Sequence, residues 1–199
     1  MAKVIPYQAK RFQPIDFKRA DDNAGNLGQL GQLDLFAQAN AQPLQLPLAD
    51  NTFELALKLD LRNDPSAEQY YLKSIEKKEH IAHSYCNLGV IAAHRQKMAQ
   101  AIDYFSRALV EEPRHLESHF NLANVYFVAG NIGLAVLHYE VVTRIDPDFA
   151  DVYFNLGLAF LELEELKSAK DCFQKFKTLS PGLDTDRVNV ILKSLSSLV

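Results

Sequence analysis

The sequence predicts an all-α protein built as an array of antiparallel helix pairs, and three observations support this fold class. Segments of similar sequence begin at residues 86, 120 and 154, so the motif returns every 34 residues. Each interval holds two amphipathic helical patterns joined by a short turn. A proline closes each interval, at Pro113, Pro147 and Pro181. Because proline cannot continue a helix, it ends the second helix of each pair.

The repeated positions predict how the two helices of a block pack. Counted from Ala82, three full blocks span residues 82–115, 116–149 and 150–183. Position seven is leucine, position eight glycine or alanine, position 20 alanine and position 24 phenylalanine or tyrosine. We expect the small residues to allow close approach of the two helices, and the aromatic ring to fill the space between neighbouring blocks. In that order the residues are Leu88, Leu122, Leu156; Gly89, Ala123, Gly157; Ala101, Ala135, Ala169; and Phe105, Tyr139, Phe173.

This pattern resembles the signature of the tetratricopeptide repeat (TPR), in which tryptophan, leucine, glycine, alanine, phenylalanine and proline recur with a period of 34. The resemblance covers residues 82–183. Position four departs from it, with Tyr85, His119 and Tyr153 in place of tryptophan. The resemblance implies a right-handed superhelical array, a TPR solenoid, whose first helices line a concave groove that holds partner segments.

Upstream, residues 48–81 are predicted to form a degenerate first repeat. The projected register puts Leu55 at position eight and Tyr71 at position 24. The segment FELALKLDLR alternates apolar and polar residues, which taken alone indicates a strand. It has no β-branched residue and consists of good helix formers, so we predict a helix. Ser66 and Gln69 are predicted to form a capping box for the helix that follows.

The two ends of the chain are predicted to differ. Residues 184–199 form a capping helix with Val188, Ile191, Leu195 and Val199 on one face. Residues 1–47 are rich in Gly, Gln, Asn and Pro, which favours a flexible, low-complexity arm. Five cationic side chains and one carboxylate in residues 1–20 make the arm basic. The arm could be a solvated tail, a docking segment for another protein, or a segment that contacts the groove.

Composition bounds the function. The chain has 199 residues, 48% of them hydrophobic, and a formal net charge of −4, which is too mild to favour nucleic acid as a partner. No signal-peptide pattern or membrane-length apolar run is present, so we expect a cytoplasmic protein and no membrane partner. Cys86 and Cys172 lie two repeats apart and are expected to be buried, unpaired thiols.

No motif predicts catalysis, a cofactor or a metal. His115 and His119 have the i, i+4 spacing of a metal chelate, but His119 occupies a packing position and the HExxH order is absent. Gly130 and Gly133 belong to the turn between helices, since no strand precedes them and no lysine follows for phosphate. We therefore expect a protein that is not an enzyme.

The candidate site is a stripe along the first helix of each block. Positions two, six, nine and 13 share one helix face, which the TPR resemblance places in the groove. The predicted peptide-binding residues are His83, Asn87, Val90, His94, Glu117, Asn121, Asn124, Asp151, Asn155, Leu158 and Glu162. Val128 also lies on the stripe, at position 13 of its block.

Asparagine stands at position six in every full block, at Asn87, Asn121 and Asn155. Its amide can pair with the backbone of an extended peptide of any sequence. The row resembles the asparagine ladder of O-linked N-acetylglucosamine transferases; the competing interpretation is a remnant of shared ancestry. The stripe lacks the cations of a chaperone-binding carboxylate clamp.

The sequence therefore predicts a non-catalytic interaction module or scaffold for a protein or peptide partner, with self-association as a further possibility. The alternative is a bacterial TPR transcriptional regulator or co-regulator without a full DNA-binding domain.

Overall fold

The computed structural model describes residues 51–181 and 185–197, and within these ranges the chain forms nine α-helices and no strand. The basic arm, Asp184 and Val199 lie outside the described residues, as does the predicted contact of the arm with the groove. The helices are α1 (Thr52–Leu61), α2 (Ala67–Glu76), α3 (Ile81–His94), α4 (Met98–Glu111), α5 (Leu116–Val128), α6 (Ile132–Ile145), α7 (Ala150–Glu162), α8 (Leu166–Leu179) and α9 (Thr185–Ser196).

The helices pack in chain order, which gives a stack of helix pairs. Each helix contacts the next one, and α5 also contacts α3 on one side and α7 on the other. The first helices of the three full blocks therefore lie side by side. The turn within each pair has a left-handed residue at the same repeat position, Gln96, Gly130 and Glu164. Of these, only Gly130 adopts that conformation without a Cβ penalty.

The small residues at position eight are required by the ring at position 24 of the same block. A Cβ on Gly89 would lie 2.6 Å from Cε1 of Phe105, and one on Gly157 would lie 2.9 Å from Cζ of Phe173. The alanines at position 20 are fully buried. Close approach of the paired helices is thus confirmed. The ring covers the small residue of its own block, and at Phe173 it also lies in a core cluster with Val188 of the helix that follows. This agrees with the expectation that the ring fills space between neighbouring elements of the stack.

The segment FELALKLDLR is the helix α1, as predicted, and a strand is excluded. Asn51 caps it by accepting a hydrogen bond from the backbone N–H of Glu54 at 2.7 Å. Phe53, Ala56 and Leu59 are buried, so every third residue faces the core. The alternation in the sequence misleads because Leu61, the last apolar residue, is exposed.

The projected register of the first repeat is wrong by one residue in α1. Phe53 packs against Tyr71, 18 positions later, whereas the equivalent pair Phe120 and Tyr139 is separated by 19 positions. Ala56 is fully buried and Leu55 only partly, so Ala56 takes the role of the small residue at position eight. The packing residues of α1 are therefore one position closer in sequence to those of α2 than the equivalent residues of a full block are.

The predicted capping box at the start of α2 is also wrong. The side chain of Ser66 makes no capping bond to α2. Instead its backbone N–H and its hydroxyl both donate to Oδ1 of Asp64, at 2.9 and 2.6 Å. Asp64 is the better acceptor because its carboxylate is charged, so it organises this turn.

The C-terminal helix α9 covers the last pair. Val188 and Leu195 are buried in a cluster with Phe173 and Phe176, and Ile191 packs at its edge. Lys177 in α8 donates a hydrogen bond to Oδ1 of Asn189 at 2.7 Å. The predicted capping helix is confirmed.

Candidate functional site

The predicted stripe lies on α3, α5 and α7, and its residues fall into three classes of exposure. His94, Val128 and Glu162 are exposed, and they form the C-terminal end of the stripe on each helix. His83, Val90, Glu117, Asp151 and Leu158 are half-buried. Asn87, Asn121, Asn124 and Asn155 are buried, with 2–8% of each residue exposed. The amides therefore form the floor of this face, and the half-buried side chains form its surface.

The amides of α5 and α7 bond to each other. Nδ2 of Asn155 donates to Oδ1 of Asn124 at 2.9 Å, and the hydroxyl of Tyr139 donates to the same oxygen at 2.6 Å. These two bonds join α5, α6 and α7. Burial raises the pKa of the Tyr139 hydroxyl, so it remains a donor. Asn124 at position nine is thus the acceptor that satisfies both neighbours.

The amides toward the N-terminus lack such a partner. Position nine of the preceding block is Val90 where α5 meets α3, and Nδ2 of Asn121 instead lies 3.9 Å from Sγ of Cys86, a weak acceptor. Nδ2 of Asn87 is buried and has no hydrogen-bond partner. With the one-residue offset, the equivalent of position nine in α1 is Leu57, which also offers no side-chain acceptor.

Both thiols are free and buried, as predicted. Burial raises the pKa of Cys86 to about 12 and that of Cys172 to about 11. Each sulfur is therefore protonated at neutral pH and does not act as a nucleophile.

The i, i+4 histidines do not form the chelate that their spacing offers. His119 lies with Nδ1 2.9 Å from Nδ1 of His138 and Nε2 3.1 Å from the carbonyl of Pro113. Since that carbonyl only accepts, His119 carries its proton on Nε2, and His138 donates from Nδ1. His115 points to a different environment. It caps α5, and its Nδ1 accepts from the backbone N–H of Ser118 at 3.2 Å.

His115 is instead close to His83 and Glu112, which were not connected with it in the sequence analysis. Its ring lies edge-on to that of His83, with centroids 4.6 Å apart. Glu112, which follows α4, contributes a carboxylate to the same group. Burial lowers the pKa of His115, so the ring is neutral at pH 7. Proximity of Glu112 could have been expected from its i, i+3 spacing to His115, but that of His83 depends on how α3 packs beside the turn.

Within the described residues, no helix is both long enough and apolar enough to cross a membrane.

Comparison with known families supports the repeat assignment. A model described as a tetratricopeptide repeat matches residues 57–115, and another of the same description matches residues 150–182. A model described as a TPR repeat matches residues 124–163. The first match includes most of the degenerate pair α1 and α2.

Two curated proteins are similar over part of their length. Protein O-mannosyl-transferase Tmtc3 from Drosophila melanogaster is 23% identical over 129 residues, which are 64% of this chain and 14% of the relative. The heat-shock protein cognate co-chaperone sgt12 from Aspergillus fumigatus is 30% identical over 87 residues, which are 44% of this chain and 26% of the relative. The chain thus spans a minor part of either relative.

Three solved structures illustrate the shared fold. MamA from Desulfovibrio magneticus, from residue 41 to its end, aligns with a TM-score of 0.64 and 20% identity over 76% of this chain and 87% of its own. The first TPR of Spaghetti (RPAP3), bound to an HSP90 peptide, aligns with a TM-score of 0.55 and 20% identity over 59% of this chain and 91% of its own. The TPR2B domain of yeast Sti1, in complex with pHsp70, aligns with a TM-score of 0.55 and 15% identity over 59% of this chain and 98% of its own.

Proposed function

Because this chain belongs to the tetratricopeptide repeat proteins, we propose that it is a non-catalytic interaction module. In this proposal an extended peptide or partner segment binds along the face formed by α3, α5 and α7. Two of the similar structures are TPR domains in complex with a chaperone peptide or chaperone, and one relative is a co-chaperone, which supports binding of a peptide segment here.

The observation that carries the proposal is the amide of Asn87. Its Nδ2 is buried without a hydrogen-bond partner. A buried donor left unsatisfied costs about 1–3 kcal/mol, and a ligand carbonyl would recover part of that cost. Asn87 lies on the same helix face as the half-buried His83 and Val90, so a peptide backbone over this face could accept from it.

The chemistry of the face defines the class of partner. Its charged residues are Glu117, Asp151 and Glu162, and it has no lysine or arginine among the stripe positions. Val90 and Leu158 are half-buried and offer apolar contacts to a ligand. A neutral or basic extended segment with apolar side chains suits this surface, whereas a strongly acidic chaperone tail does not.

The experiment is a binding screen of extended peptides with acidic, neutral and basic compositions against the full chain, read by fluorescence anisotropy. Peptides that bind are then titrated against Asn87→Ala and against Asn131→Ala, an exposed asparagine in the turn before α6. Loss of one hydrogen bond of about 0.5–1.5 kcal/mol corresponds to roughly a 2- to 12-fold weaker affinity for Asn87→Ala. Asn131→Ala should bind like the wild type.

Preference for acidic peptides, or equal losses in the two variants, would contradict the proposed face. A protein with unchanged affinity in Asn87→Ala would place the binding surface elsewhere.

A further inference from the structure

His115 has a ring nitrogen that the fold does not use. The residue is 3% exposed, and Nδ1 accepts the backbone N–H of Ser118, which fixes the ring as the cap of α5. Nε2 is buried and has no hydrogen-bond partner. Asparagine and serine are the usual residues at this capping position, so the cap alone does not require an imidazole.

Two further metal-ligating side chains surround this ring. One ligand atom each from His83, Glu112 and His115 lies within 4.8 Å of the others. His83 comes from the first turn of α3, Glu112 follows α4, and His115 precedes α5. Two imidazoles and a carboxylate are the ligand set of several zinc sites that keep a fourth position for water or substrate.

We propose that His83, Glu112 and His115 form a Zn²⁺ site where the end of α4, the start of α5 and the start of α3 meet. The metal would tie the turn after α4 to the first helix of its own block. It would also hold His83, one of the proposed peptide-contacting residues, in a fixed orientation.

Small rearrangements bring the ligands to coordination distance. Zinc–nitrogen and zinc–oxygen bonds of about 2.0–2.2 Å in a tetrahedron place the ligand atoms about 3.4 Å apart. Glu112 is exposed, so its side chain can move toward the two rings. This is the main adjustment that the site requires.

Coordination through Nε2 also moves the ring proton of His115 to Nδ1. Two acceptors are in place for it, Oγ of Ser118 at 3.0 Å and Oε2 of Glu117 at 3.5 Å. A carboxylate that accepts from the second nitrogen of a metal-bound histidine is a common outer partner, and it raises the affinity for the metal. This coordination breaks the hydrogen bond that Nδ1 of His115 now accepts from the backbone N–H of Ser118.

The test is a zinc titration of the full, untagged chain in competition with a chromophoric chelator, with a thermal melt at each zinc concentration. We expect one saturable site and a melting temperature that rises with zinc, because a metal that binds the folded state stabilises it. His115→Asn keeps a good helix cap and removes Nε2, and Glu112→Gln removes the carboxylate charge. Both should lower zinc affinity by about 10-fold or more, and Glu117→Gln by a smaller factor.

Glu111→Gln, the neighbouring exposed carboxylate, is the matched control and should leave zinc affinity unchanged. His138→Gln tests the other pair of close histidines. The absence of a 1:1 site in the wild type, or a loss of affinity in His138→Gln without a loss in His115→Asn, would overturn the assignment. The readout does not involve a peptide, so its failure leaves the proposed binding face intact.

Discussion

The contact between α5 and α7 and the contacts of α3 with its neighbours are built from the same repeat positions, but their polar groups end in different states. Between α5 and α7, the amides of Asn124 and Asn155 and the hydroxyl of Tyr139 are hydrogen-bonded to one another. Around α3, Nδ2 of Asn87 and Nε2 of His115 are buried without a partner.

The difference has a simple sequence origin. An asparagine at position six is satisfied when position nine of the preceding block is also asparagine, as for Asn155 with Asn124. Val90 cannot accept a hydrogen bond through its side chain, so Asn121 is left with a weak sulfur contact. The polar groups between α5 and α7 thus stabilise the fold by bonding to one another. The region around α3 retains polar atoms that a ligand could satisfy.

The largest expected effect comes from removing the shared acceptor. Asn124→Leu leaves the buried Tyr139 hydroxyl and the Asn155 amide without a partner, and should lower the free energy of unfolding by about 3 kcal/mol. Urea denaturation measures it. Tyr139→Phe is the control, since it removes the donor itself and should cost only about 0.5–1.5 kcal/mol. If the free energy of unfolding falls by the same amount in both variants, Oδ1 of Asn124 is not the shared acceptor on which this contact depends.

The apolar packing should not distinguish the two regions. Gly89→Ala and Gly157→Ala place a Cβ against Phe105 and Phe173 at 2.6 and 2.9 Å. We expect each to destabilise by about 1–2 kcal/mol, because overpacking outweighs the better helix propensity of alanine. Gly133→Ala, in α6 with no atom within 4 Å of the added Cβ, should be neutral or stabilising. A neutral Gly89→Ala would show that the packing also differs between the regions.

A smaller effect should follow from supplying the missing acceptor. Val90→Asn gives Asn121 the partner that Asn155 already has, and should raise the free energy of unfolding by about 0.5–1 kcal/mol. A double-mutant cycle with Asn121→Ala isolates the new bond. Zero coupling energy in that cycle would show that position nine does not determine the state of position six.

Much of the fold could be predicted from the sequence because the same packing unit recurs in three consecutive blocks. Recurring Gly89 and Gly157 opposite Phe105 and Phe173 specify the helix pairs. The good helix formers of FELALKLDLR, with no β-branched residue among them, allowed α1 to be assigned against its local alternation. The one-residue offset of α1 was missed because the register was projected as a strict 34-residue interval. The capping box at Ser66 was wrongly predicted because the competing acceptor, Asp64, lies outside the helix.

The candidate site was less predictable. A helical wheel gives the direction of Asn87 from its own axis, but not whether the neighbouring helix covers it. The hydrogen-bond states of Asn87, Asn121 and Asn155 depend on residues one block earlier in the chain. The presence of asparagine at position six in all three blocks therefore did not indicate that the three environments differ. The group of His83, Glu112 and His115 arises from a turn that returns to α3, and helix periodicity carries no information about such a return.

The central claim is that Asn155 serves the fold whereas Asn87 is left for a ligand, and urea denaturation of two single variants tests it most directly. Asn155→Ala breaks the 2.9 Å bond to Asn124 and should lower the free energy of unfolding by about 1 kcal/mol. Asn87→Ala removes an unsatisfied buried donor and introduces a better helix former, so it should be as stable as the wild type or more stable. Equal destabilisation by the two substitutions would contradict this account, because both amides would then be structural.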